Sequence, residues 1–140
     1  MSSLSQSAGH PILLCLKPEP EMVELWHEGV ALAVSPRRPL HALALIPKAR
    51  GAAAVLALQE ELNQLAERAR QAVPYLDVLV TVELLSGLTE RRIVEVAQDR
   101  TARLVVIGRR RRTAKLHAHH HDTTEALLAL IDVPLLILPI

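Results

Sequence analysis

Among its 140 residues the chain has one cysteine, no phenylalanine, one tryptophan and one tyrosine. A single thiol excludes an internal disulfide. Cys15 lies in the apolar run PILLCL, where a small buried side chain is the ordinary reading. With only Trp26 and Tyr75 as aromatics, a base-stacking platform is missing and a nucleic-acid partner is not expected. Sixteen Lys and Arg against fifteen Asp and Glu leave a formal charge of +1, so no overall field draws the molecule to an acidic surface. No segment reaches the roughly 18 consecutive apolar residues of a membrane span, and MSSLSQSAGH at the start has no apolar core. A cytoplasmic protein without membrane insertion is expected. Missing too are the GxxxxGK[ST] loop, the GxSxG elbow, the HExxH pair and any useful Cys/His spacing. Enzymatic catalysis therefore finds no support, and Glu19, Glu21 and Glu28 read as the solvated face of a helix.

Half of the residues are apolar, enough for one domain with a real core. Residues 1–10 read as a disordered tail and 11–140 as the domain. Short β-like runs alternate with segments of helical period, the pattern of a parallel α/β sheet. PILLCL (11–16), LHALALI (40–46), YLDVLVTVELL (75–85), ARLVVIG (102–108) and VPLLILPI (133–140) read as strands. Helices are expected from about Glu19 to Val34, from Gly51 to Val73, from Thr89 to Ala97 or a little beyond, and over 122–132. In the second of these Val55, Leu58, Leu62, Leu65, Ala69 and Ala72 share one face. Asp122 or Thr123 can cap the last helix. Right-handed crossovers put helices on both faces, and ligands in such sheets sit at the carboxyl ends of the strands where their order reverses.

The stretch RLVVIGRRRRTAKLHAHHHDTT (103–124) leaves the end of the fourth strand and borders that place if strands one and four are neighbours. Arg109 to Arg112 can form a guanidinium clamp on an anion, since the Arg fork matches phosphate; the alternative is an exposed basic loop. Arg91 and Arg92 can extend the patch. His117, His119, His120 and His121 with Asp122 carry metal-ligating groups. Neighbouring residues in an extended loop point to opposite sides, so two or three at most converge, and a His-rich loop with adventitious affinity is the plainer reading. A metal-binding module using His117, His119, His121 and Asp122 stays as the alternative function.

From residue 11 to 140 the chain resembles the universal stress protein family in element order, lengths and the VVIG ending of the fourth strand. The resemblance implies a five-stranded parallel sheet of order 3-2-1-4-5 with helices on both faces, Rossmann-like. Nucleotide-binding members carry G-x-x-G, nine residues and G-S/T after that strand. Counted without gaps from Gly108, those positions hold Arg111, His121 and Asp122, and Thr123, Thr124 and Glu125 fall in register with the start of the last helix. Lys17 stands where the family's first strand ends in an Asp that faces the nucleotide, and Ile46 stands at its apolar adenine contact. The implied site therefore consists of Lys17, Ile46, Gly108, Arg109, Arg111, His121, Asp122 and Thr123. Side chains at glycine positions would occupy space that phosphate needs, so ATP is not expected to bind in the family's manner. AMP or another phosphate-containing ligand is expected instead, with no metal. The apolar last strand implies a homodimer, an unknown protein partner completing a sensing or adaptor role.

Overall fold

The computed structural model describes residues 9–110 and 123–140. Chain order is β1 (Ile12–Leu16), α1 (Met22–Val34), β2 (Leu40–Pro47), a short 3-10 turn (Lys48–Arg50), α2 (Gly51–Ala72), β3 (Val78–Leu85), α3 (Thr89–Asp99), β4 (Leu104–Arg109), α4 (Thr123–Leu130) and β5 (Leu135–Pro139). All neighbouring strands are parallel, in the order β3-β2-β1-β4-β5. The expected five-stranded parallel α/β sheet of order 3-2-1-4-5 is thus the observed one.

Continuous apolar runs make the central strands because both of their faces are covered. In β2 every residue from Leu40 to Ile46 is buried. On one face Leu14, Leu16, Ala42, Ala44, Ile46 and Val106 pack with Leu25 and Trp26 of α1 and with Leu58, Leu62 and Leu65 of α2. On the other, Leu13, Leu43, Leu45, Val105 and Ile107 pack with Ile93 and Val96 of α3 and with Leu127 of α4. The strand period of two assigns alternate residues to the two cores. Trp26 is 1% exposed, the core residue its spacing predicts.

Two boundaries lie three residues from expectation, while the others shift by two residues or fewer. Helix α1 starts at Met22 rather than near Glu19. Pro18 and Pro20 flank Glu19, and a residue before proline is pushed out of the helical region; Glu19 N–H turns back to Lys17 O at 2.8 Å instead. Strand β3 starts at Val78 rather than at Tyr75 because the end of α2 is closed by a turn in which Leu76 N–H donates to Val73 O at 3.0 Å. Among the described residues no helix is long and apolar enough to cross a membrane.

Candidate functional site

The order of the strands reverses between β1 and β4, which are neighbours within the sheet and send their connections to opposite faces. At their carboxyl ends a narrow cleft of ≈ 50 Å³ opens, bounded by Lys17, Glu19, Gly108, Thr123 and Thr124 and floored by Cys15, Leu45 and Ile107. Gly108 has ordinary backbone geometry, so its lack of a side chain matters for space. A Cβ there would come 2.7 Å from Ile140 Cδ1 and 3.0 Å from Leu25 Cδ2. Ile140 is held in place by its N–H donating to Arg109 O at 3.0 Å. The apolar ends of α1 and β5 therefore close over the glycine that the sequence singles out.

The polar rim is mixed in charge. Arg110 Nε, on an exposed side chain, lies 3.7 Å from Glu19 Oε2 and 4.0 Å from Glu21 Oε1, both carboxylates only partly exposed. Glu19 and Glu21 are thus not a plain solvated face; they hold the first residues beyond β4 against the segment that follows β1. The Cys15 thiol is pushed up to about 12 by burial, with Lys17 pulling the other way. At neutral pH it is a wall of the cleft and no nucleophile.

Of the residues implied by the sequence, Lys17, Gly108 and Thr123 meet in this cleft. Ile46 does not. It is 1% exposed in the core shared with α1 and α2, and its neighbour Leu45 lines the cleft instead, a consequence of the strand's period of two. Arg109 closes β4 in register with Pro139 and does not line the cleft. Arg111, His121 and Asp122 lie outside the described residues, as do His117 and His119 of the metal alternative and residues 1–8 of the expected tail. Among the described residues no group of three His, Cys, Asp or Glu side chains could hold a metal ion. Arg92 does not extend a basic patch. Its Nη2 donates to Glu83 Oε2 at 3.1 Å and its Nη1 to Glu95 Oε1 at 3.0 Å, which holds the guanidinium pKa well above its usual range. The sequence reading missed Leu25, Thr89, Ile93 and Ile140 as cleft residues. Thr89, the first residue of the helix that follows the Ser86-Gly87 break, was the one with a usable signal.

A doubly wound parallel sheet with its cleft at the reversal of strand order defines the class in which small ligands lodge at strand ends. The chain belongs to the universal stress protein family, whose model matches residues 10–139. A universal stress protein from Archaeoglobus fulgidus superposes with a TM-score of 0.72 at 14% identity, over 98% of this chain and 98% of that one. A structure of the Archaeoglobus fulgidus universal stress protein in complex with dAMP gives 0.66 at 14% identity, over 91% and 96%. A universal stress protein in complex with cAMP gives 0.65 at 15% identity, over 91% and 96%. At such identities the likeness concerns the fold. Among curated proteins the comparison finds no match.

Proposed function

We propose that this protein is a non-enzymatic, cytoplasmic, dimeric sensor or adaptor of the universal stress type, whose altered cleft takes a phosphate-containing ligand such as AMP and not ATP. The observation that carries this reading is the pairing of Lys17 with Gly108 in one cleft whose glycine is covered by Ile140 and Leu25. Ligand pockets commonly run to about 300–1,000 Å³. A cleft of ≈ 50 Å³ is too small for a nucleotide, so entry is coupled to a movement of its walls, and Ile140, which covers Gly108 at the end of β5, is the wall that this reading has move. Such coupling suits a sensor. Lys17 brings an ammonium to the strand end, where it favours an anion, and complexes of related folds with dAMP and cAMP support a ligand of the adenosine monophosphate kind. The homodimer rests on β5, an edge strand of apolar residues without a charge to blunt it.

Denaturing mass spectrometry of whatever co-purifies, followed by calorimetric titration of ATP, AMP and cAMP, tests the reading. The expected result is saturable binding of AMP or cAMP that Lys17→Ala weakens by about tenfold or more, the effect of one charge-assisted contact. Stoichiometric ATP in the purified protein, or a tight ATP affinity that survives replacement of Arg109 and Arg111, would refute it.

A further inference from the structure

A second cavity, larger than the cleft at Gly108, lies at the opposite rim of the sheet among the described residues. It measures ≈ 510 Å³ and lies at the amino ends of β1, β2 and β3, where the α1–β2 turn, the α2–β3 loop and the end of α3 meet. Arg37, Arg38 and Arg100 line it together with one carboxylate, Asp77. Three guanidinium charges against one carboxylate leave a local balance of +2. A cavity of this size lies within the range of about 300–1,000 Å³ in which small molecules bind.

Two further observations concern this rim. The first is His41, 4% exposed in β2 and part of the cavity wall. Its Nε2 lies 2.9 Å from Thr81 Oγ1, while Nδ1 has no hydrogen-bond partner among the described residues. A buried ring nitrogen without a partner carries a real cost unless something else completes it. The second is backbone strain. The non-glycine residues with positive φ among those described are Arg37 at 54° and Thr101 at 52°. Both end helices. Arg38 N–H donates to Ala33 O and Arg37 N–H to Val34 O; likewise Ala102 N–H donates to Ala97 O and Thr101 N–H to Gln98 O. These are left-handed helix stops at which glycine is the usual residue. Here one carries a cavity-lining arginine and the other follows one. Such strain collects where a site needs it. The Arg37 guanidinium stands 4.2 Å over the ring of Tyr75, another residue that lines the cavity.

The geometry points to a second ligand site at this amino rim, a basic pocket for the phosphate monoester of a small polyhydroxylated molecule. Arg37, Arg38 and Arg100 surround the phosphate, and a dianion matches the balance of +2. His41 completes its hydrogen bonding in the tautomer in which Nε2 accepts from the Thr81 hydroxyl and Nδ1–H donates to the ligand. Asp77 accepts from a ligand hydroxyl, which selects an ester with an alcohol-bearing body over bare phosphate. The site is separate from the cleft at Gly108 and does not depend on the reading given for it.

The test is an NMR titration of the ¹⁵N-labelled protein with glycerol phosphate and ribose phosphate, with glycerol, ribose and inorganic phosphate as comparators. The expected result is saturable binding of the esters with a Kd below ~1 mM, no binding of the free alcohols, and phosphate weaker by about tenfold. The perturbed signals should be those of Arg37 to His41, Tyr75 to Leu79 and Arg100, including a change at His41 Nδ1. Arg100→Gln should weaken the esters by about tenfold or more. Arg37→Gly should do the same while raising the melting temperature, since it removes the charge and the strain together. Thr101→Gly, which relieves strain without touching a charge, should raise the melting temperature and leave affinity unchanged. No saturable shift with either ester, shifts at Lys17, Gly108 and Thr123 instead, or an affinity indifferent to Arg100→Gln would overturn the site. Phosphate binding as tightly as both esters would overturn its selectivity for an alcohol-bearing body.

Discussion

Lowering the pH from 7.5 to 5 should destabilise the protein through one side chain, His41. The ring is 4% exposed, and its pKa is lowered from the ordinary 6.5 to about 4, first by burial and next by the Arg100 charge, with Glu83 opposing both. The unfolded chain takes up a proton near pH 6.5; the folded one does not until near pH 4. A stabilising contribution is therefore complete above the unfolded value and declines as pH falls from about 6.5 towards 4. For these two values linkage gives a loss of about 2 kcal/mol at pH 5. Water in the adjoining ≈ 510 Å³ cavity screens the charged ring, so we expect about 1–2 kcal/mol. In a domain of this length that corresponds to roughly 3–7 °C in melting temperature. Urea unfolding followed by Trp26 fluorescence at pH 7.5, 6 and 5 measures it, with His41→Gln as the comparator, because glutamine can keep a hydrogen bond to Thr81 without titrating. The variant should lose distinctly less stability than the wild type over the same range. Equal losses in both, or an NMR titration placing the folded His41 midpoint near 6.5, would refute the reasoning.

Gly29→Ala should destabilise the fold although alanine is the better helix former, because the new Cβ would lie 2.5 Å from Leu14 Cδ2 and Leu14 is wholly buried. Overpacking of about 1–3 kcal/mol outweighs a helix gain of about 1 kcal/mol, and a raised melting temperature would refute it. Cys15, with its thiol near 12, should resist an aromatic disulfide reagent at pH 8 and react promptly once the chain is unfolded in guanidinium; prompt labelling of the native protein would count against its burial. Light scattering should find a dimer at micromolar concentration, and a monomer there would remove β5 as a pairing edge.

The sequence by itself determined the alternation of strands and helices, since apolar runs bounded by proline and glycine admit few other readings and right-handed crossovers follow from chirality. It also put Lys17 and Gly108 at the ends of their strands, and the family resemblance supplied the strand order; that the two meet in one cleft is decided by the pairing of β1 with β4. Other features depend on which side chains distant segments bring together. Strand phase is decided by the covering helices, so Leu45 and not Ile46 lines the cleft. The closure of Gly108 by Leu25 and Ile140 needs the meeting of α1 and β5, more than a hundred residues apart in the chain. Arg110 finds Glu19 and Glu21, and Arg92 finds Glu83, across separate elements, so a run of arginines in the sequence carries no information about which charges are already paired. His41 is the extreme case. As a letter in LHALALI it is an isolated histidine, and only the parallel pairing of β2 with β3 sets its Nε2 on Thr81, leaves its other nitrogen buried without a partner among the described residues, and brings the residue into the wall of a basic cavity.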